Sequence, residues 1–407
     1  MLDIKFIREN PDKVKDGCRK KQVKIDIDRL LLLDEKRKVC LREIEDLRAK
    51  KKKIGREDIE KAKEIKVLIK KAEPELKEIE KEFNELMFLV PNIPLDGVPD
   101  GKDETENVVL REVGKKPKFD FKFKDYLEIS EKLELIDIKR AAKTSGSRFG
   151  FLKNEAVLLE LALVNFVFKE LRKENFTVLI PPIMIKPKMM QAMGYVERGG
   201  DEIYFLEKDN LYLIGTSEQA IGPMHSGEIF EEKEIPKRYA AFSPCFRREA
   251  GSYGKDTRGI LRVHQFDKVE MFVFAQPEKA EKEYNLLLSL EERFMKALKI
   301  PYRVIQICTG DLGDPAAAKY DIEAWIPSEN RYRETHSTST CTDFQARRLN
   351  IRYKKKDGKL AFIHTINGTG LAIGRTLIAI IENYQQKDGS IKVPEVLQEY
   401  TGFKKIG

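Results

Sequence analysis

The stretch RYAAFSPCFRREAGSYGKDTRGILRVHQFDKVEMFVF, residues 238–274, reads as strand, loop, strand. On the return limb Val269, Met271 and Val273 form an apolar face suited to a core. Arg262, Phe266 and Glu270 have even numbers and share the opposite face, while Arg247 and Glu249 share one parity on the outgoing limb. Between the limbs lies residues 251–259, a basic loop with glycines at 251, 254 and 259. One sheet face thus gathers two arginines, an aromatic ring and two carboxylates. A structural ladder of ion pairs would also use arginine and glutamate. It would not need a ring among the charges or a glycine-rich loop above them. A nucleotide site needs both: guanidinium forks for phosphate and a ring on which adenine stacks.

Outward from this stretch, three further constellations have the same chemistry. In Gly215-Thr216-Ser217-Glu218, Thr216 and Glu218 are expected to share one strand face. In Arg333-Glu334-Thr335-His336-Ser337, Glu334 is a candidate ligand for a Mg²⁺ ion bridging ATP phosphates. Glu334 and Ser337 differ in parity, so a bulge or a strand end is required to aim both inward. The third, residues 367–375 (NGTGLAIGR), lies between an expected strand at 362–366 and an apolar helix at 376–384. Its glycine spacing misses the dinucleotide fingerprint by one residue, and no βαβ unit surrounds it. Glycines that let the helix lie close under the sheet, with Arg375 reaching the far phosphates, are the better account.

The rest of the chain frames this domain. Residues 157–168 predict a buried helix, and Val178-Leu179-Ile180-Pro181-Pro182 a strand ended by prolines. From 204 to 364 short strands dominate, with one helix at 278–298, which implies an antiparallel sheet in an α+β domain. Further upstream, Leu30, Leu33, Arg37, Cys40, Ile44, Leu47, Lys51 and Ile54 recur in steps of three and four. Ile65, Ile69, Ala72, Leu76, Ile79, Phe83, Leu86 and Val90 form a second such seam. Two helices of roughly 40 Å, joined at residues 55–58, should fold back as an antiparallel coiled-coil hairpin. Pro74 should kink or divide the second helix. Near the tip, Arg48, Lys50 to Lys53 and Arg56 form a basic cluster. It fits either a solvated face or an arm that tracks an RNA backbone. The expected division is 1–105 for the hairpin domain and 106–407 for the catalytic domain.

Charged residues make up 35% of the 407, well above the usual quarter, as an extended solvent-exposed part requires. The net charge of +8 suits a polyanionic partner without demanding one. No apolar run reaches membrane-spanning length and the first residues lack the core of a signal peptide, so a cytoplasmic location is expected. The five cysteines (Cys18, Cys40, Cys245, Cys308, Cys341) are scattered without a CxxC pair. Neither a disulfide framework nor a zinc site is indicated.

Residues 246–259, 263–270, 341–348 and 367–375 together resemble the seryl-tRNA synthetases, and the resemblance extends over nearly the whole chain, including the hairpin and its Pro91-Asn92-Ile93-Pro94 exit. It implies a class II catalytic domain: an antiparallel sheet flanked by helices, homodimeric through the region of residues 178–182. The implied activity joins L-serine to ATP as seryl-adenylate, then to the terminal adenosine of tRNA(Ser), with selenocysteine tRNA as a second candidate. Arg247, Glu249 and Arg375 would be catalytic. Arg247 would contact the serine carboxylate and the α-phosphate. The serine pocket would comprise Thr216, Glu218, Arg247, Glu270 and Thr369, with Glu270 and Thr369 nearest the hydroxyl. ATP would meet Arg247, Arg248, Glu249, Arg262, Phe266, Glu334, Thr335, His336, Ser337 and Arg375, with Phe266 under adenine. Glu334 and Ser337 would take Mg²⁺ with ATP. Thr369 stands where many relatives have serine, and His336 and Thr340 replace a usual serine and asparagine. A relative that loads carrier proteins lacks the hairpin. A non-catalytic RNA binder would not need to keep Arg247, Glu249, Glu270 and Arg375. His264, His225 and His364 are expected to be packing or surface residues.

Overall fold

A computed structural model describes residues 1–54, 58–250 and 258–407. The hairpin tip at 55–57 and most of the glycine-rich loop, 251–257, lie outside the described residues. The chain forms two compact units, Met1–Ile93 and Pro94–Gly407.

In the first unit, α1 (Ile27–Lys53) and α2 (Ile59–Leu89) form the hairpin. Asp26 caps α1 by accepting from the Arg29 amide. The antiparallel sense is written in the ion pairs: Arg29 meets Glu82 at 2.8 Å and Arg48 meets Glu73 at 2.9 Å, so one number falls as the other rises. The seams face one another, with Leu30, Leu33, Ile44 and Phe83 buried. Towards the tip the seam residues Leu47, Ile65 and Ile69 are only half-buried. At the base, buried Asp34 lies 3.0 Å from both Arg8 and Lys38. Of the two expected outcomes, Pro74 does not divide the helix: α2 runs unbroken through it. Proline deprives the carbonyl four residues back of its donor, but Pro74 is exposed, so water can serve that carbonyl.

In the second unit the elements are β1 (Val108–Val113), α3 (Glu155–Lys173), β2 (Thr177–Leu179), α4 (Pro187–Met193) and α5 (Glu218–Ile221). Then follow β3 (Lys237–Phe246), β4 (Gln265–Ala275), α6 (Pro277–Ala297), β5 (Tyr302–Gln306) and β6 (Ala318–Ile326). The chain continues through β7 (Arg331–Thr340), β8 (His364–Ala372) and α7 (Ile373–Asn383). Among the described residues these strands make one sheet in the order β1-β5-β6-β7-β8-β4-β3-β2. Every pairing is antiparallel except β2 with β3.

Strand β4 decides which face does what. Val269, Met271 and Val273 are buried against α3, α6 and α7, as their parity predicts. The even face is divided: Phe272 and Phe274 enter a second core with Met193 and Ile221, while Phe266, Lys268 and Glu270 are left to line a cleft. Helix α3 is not wholly buried as expected. Val157, Leu158 and Leu161 are exposed, as are Val178 and Ile180 beside it.

Candidate active site

A cleft of about 690 Å³ opens on the polar part of the β4 face. Of the residues singled out from sequence, Thr216, Glu218, Arg247, Glu249, Arg262, Phe266, Glu270, Glu334, Thr335, Ser337, Thr369 and Arg375 all line it. Several arrive by routes that strand parity does not describe. Strand β3 ends at Phe246, so Arg247 and Glu249 lie beyond it, and Glu249 has a positive φ of 53°. Arg262 precedes β4. Thr216 and Glu218 do not share a strand face: α5 begins at Glu218. The glycine-rich stretch at 367–370 is part of β8, not a turn, and Arg375 lies in the first turn of α7. Its glycines pack against β4 and α6: a Cβ on Gly370 would lie 2.9 Å from Val269 Cγ1. A Cβ on Gly368 would lie 3.1 Å from Glu291 Oε1 and 3.2 Å from Leu287 Cδ1.

Two predicted residues do not line the cleft. The Arg248 guanidinium lies over the Tyr204 ring, 5.7 Å from its centroid, and its amide donates to the Glu202 carbonyl. His336 is buried, with Nδ1 2.9 Å from Thr335 Oγ1, and burial pushes its ring down to about 3, so it stays neutral. The reason is the bulge that the parity of Glu334 and Ser337 required. The β6–β7 register shifts between Ile322 and Glu323, so Glu334, Thr335 and Ser337 all reach the cleft while His336 turns away. His264 is a packing residue: its Nδ1 lies 3.0 Å from the Arg247 carbonyl and its ring meets Phe149. His225 bridges Glu228 and the Tyr239 hydroxyl.

The cleft has a buried end and an open end. At the buried end Glu218 and Glu270 are 4% and 1% exposed. Glu270 lies opposite Thr369 in the β4–β8 register, so their side chains are cross-strand neighbours. Desolvation pushes the Glu270 carboxyl up to about 7, although Lys268 Nζ, 2.5 Å away, opposes it. Desolvation also raises Glu218, against the Tyr195 hydroxyl that donates to it and the cations of Lys268 and Arg247. Among the described residues Thr216 Oγ1 is buried without a hydrogen-bond partner. At the open end Arg262 pairs with Glu249 at 2.9 Å and Arg375 with Glu334 at 3.1 Å. Glu334 keeps 45% of its side chain exposed. Against the desolvation of the cleft, Arg375, Lys319 and Arg247 hold its carboxyl down at about 2. Arg247 stands between the two ends, its guanidinium 5.2 Å from the half-buried Phe266 ring and donating to the Gly215 carbonyl.

Sequence reasoning missed Lys268, Tyr195, Lys319 and Asp321. Lys268 was within reach, since it has the parity of Phe266 and Glu270. Lys319 and Asp321 alternate on β6 and pair at 3.3 Å, with Asp321 opposite Ser337. Desolvation pushes the Asp321 carboxyl up to about 7. No pattern in the sequence marks Tyr195, which comes from the turn after α4.

Residues 1–94 match the seryl-tRNA synthetase N-terminal domain, and residues 204–384 the class II tRNA synthetase core domain of the G, H, P, S and T enzymes. The serine–tRNA ligase of Pseudothermotoga lettingae is 46% identical over all of both chains. That of Corynebacterium diphtheriae is 45% identical over 99% of this chain and 98% of its own. In three dimensions the chain is similar to seryl-tRNA synthetase from Pyrococcus horikoshii, solved in complex with ATP, with a TM-score of 0.93 and 41% identity. That match covers 100% of this chain and 99% of the other.

Proposed function

The chain belongs to the serine–tRNA ligase family, and from that premise we propose how its cleft divides between serine and ATP. The enzyme activates serine with ATP and transfers the seryl group to tRNA(Ser), as a class II aminoacyl-tRNA synthetase does. The observation that carries the division is the contrast between the two ends. Two buried carboxylates with Thr216 and Thr369 suit a small zwitterion bearing a hydroxyl. Arg262, Phe266 and Arg375 suit a nucleotide triphosphate.

In this reading serine places its ammonium by Glu218 and Thr216, its hydroxyl between Glu270 and Thr369, and its carboxylate at Arg247. Adenine stacks on Phe266, Glu249 and Thr335 lie alongside the nucleotide, and the outer phosphates draw Arg262 and Arg375 from their glutamate partners. A serine carboxylate oxygen attacks the α-phosphorus in line, and the bond to the β-phosphate breaks to release pyrophosphate. The protein's part is positioning and charge: Arg247 holds both reactants and offsets the negative charge growing on the α-phosphate oxygens. A ribose hydroxyl of the terminal tRNA adenosine then attacks the seryl carbonyl, and AMP leaves.

The Glu334 carboxylate and the Ser337 hydroxyl at the open end are hard oxygens suited to a hard cation, and the Asp321 carboxylate lies opposite Ser337 in the β6–β7 register. Glu334 and Ser337 would hold Mg²⁺ together with ATP, and the ion would offset phosphate charge. Alanine and glycine would deprive Glu270 and Thr369 of the hydroxyl they are placed to bond, a kind of mismatch that discriminates by roughly 10⁴-fold.

The remaining assignments follow the same premise. Residues 1–105 hold tRNA(Ser) and residues 106–407 catalyse, with selenocysteine tRNA a second substrate of the same arm. A homodimer would cover the exposed apolar residues of α3 and β2, and a sedimentation mass near that of one 47.1 kDa chain would refute it. No described helix is long and apolar enough to cross a membrane, and a cytoplasmic location, testable by fractionation, accords with that. The decisive experiment is ATP–pyrophosphate exchange across a panel of amino acids, followed by charging of both RNAs. Serine alone should support exchange. Equal exchange with alanine would refute the assignment of the buried end.

A further inference from the structure

At the buried end of the cleft the internal donors that meet the two carboxylates differ in charge. Glu270 Oε2 faces the ammonium of Lys268 at 2.5 Å. Glu218 Oε1 accepts instead from the phenol of Tyr195, a neutral group. Desolvation and the neighbouring carboxylates push that phenol well above its ordinary value, so it keeps its proton and acts as donor at any physiological pH. The ring is held from its backbone. Tyr195 follows Gly194, which ends α4 with a φ of 91° and lies so close to Phe344 that a Cβ there would come within 3.2 Å of its ring.

We propose that Tyr195 is a positioning residue of the amino-acid subsite, its hydroxyl, beside the Gln345 amide, fixing the Glu218 carboxylate so that it is aimed at the substrate ammonium. This rests on the reading that Glu218 lines the serine end of the cleft. Serine arrives as a zwitterion, and its ammonium needs an anion whose charge is not already matched. Glu270 is matched by Lys268 and is suited to a neutral hydroxyl. Glu218 is hydrogen-bonded by the neutral Tyr195 and Gln345 and, unlike Glu270, has no cation in a direct ion pair with it among the described residues, so its charge remains for the ammonium. A carboxylate buried without such a donor takes up a proton more readily and becomes a poor partner for a cation. The other groups that act on Glu218 are Lys268, Arg247 and Gln345, which favour its charged form, and Glu270, which lies in the same buried set. The thiol of Cys341 faces Tyr195 itself.

The test uses the full-length enzyme with Tyr195→Phe and Glu218→Gln, read by pyrophosphate exchange. Tyr195→Phe should raise KM for serine about ten- to a hundredfold, the loss expected for one hydrogen bond to a charged group, and leave KM for ATP in place. It should also move the acid limb of kcat/KM for serine to higher pH, since the lost donor had favoured the carboxylate. Inhibition by 3-hydroxypropionate, which is serine without its amino group, should be unchanged by Tyr195→Phe. A purely structural tyrosine would weaken serine and the analogue alike and leave the acid limb where it was; that result overturns the inference. So does an unchanged KM for serine in Tyr195→Phe when Glu218→Gln raises it, and in that case the subsite reading survives. If Glu218→Gln itself leaves KM for serine unaltered, the subsite reading fails and the inference falls with it.

Discussion

Along the hairpin, Arg29 meets Glu82 and Arg48 meets Glu73 with roughly half of each side chain in water. At the buried end of the cleft, Glu218 and Glu270 meet Tyr195 and Lys268 with almost no exposure. The pairs are of similar length but of different worth. A solvated pair competes with water on equal terms and contributes roughly 0–1 kcal/mol. A buried charge deprived of its partner costs several kcal/mol, because water cannot replace it. Charge along the exposed length of the arm is therefore collective and replaceable, whereas charge in the cleft is individual.

That contrast can be broken or sharpened by experiment. The largest effect should come from removing residues 35–85 and closing the gap with a short linker: tRNA charging should be abolished while serine-dependent exchange is largely retained. Charging at the normal rate would show that the arm does not hold the RNA. The converse variant, Arg247→Ala, should cut exchange by roughly 10²–10³-fold, the scale for losing one preorganised donor at a reacting centre, with tRNA affinity preserved. Arg247→Lys should also be poor, since a point charge lacks the bidentate fork.

Next come Glu270→Gln and Thr369→Val. Each should raise KM for serine ten- to a hundredfold and narrow the gap between serine and alanine, with ATP binding unchanged. Unaltered discrimination in both would mean that the hydroxyl is read elsewhere. Glu270 also makes a pH prediction. Its folded-state value of about 7 lies above the ordinary 4.5, so the folded enzyme binds that proton more tightly than the unfolded chain. The stability it contributes is present below 4.5 and lost as pH rises through 7. The slope of melting temperature against pH over that window should therefore flatten in Glu270→Gln. If the slope is the same in both proteins, the carboxyl is already ionised below 7. The smallest effect belongs to the arm: Arg48→Ala should change stability by no more than ~1 kcal/mol in a denaturant titration.

Sequence patterning reached the architecture because it reports periods. The two seams of α1 and α2 and the apolar face Val269, Met271, Val273 are repeats of 3.5 and 2, and burial against a partner enforces them. It reached the site residues through chemistry more than through geometry. Arg247, Glu249 and Arg262 line the cleft although none is on the strand assigned to it, because β3 stops at Phe246 and β4 starts at Gln265. The bulge at Thr335 was legible, since only a bulge lets Glu334 and Ser337 face one way. It also explains why His336, two residues from Glu334, has no part in the cleft. Tyr195 was not legible: its contact with Glu218 depends on where α4 ends in space, which no local pattern encodes.

The falling burial along the hairpin has a consequence for how such an enzyme can diverge. Near the base, Asp34 with its ring of cations and the packed Leu30 and Leu33 leave little freedom to substitute. Towards the tip, half-buried seam positions and exposed lysines accept change at little cost in stability. Substitutions near the tip can therefore reshape the surface of the arm while its root stays packed.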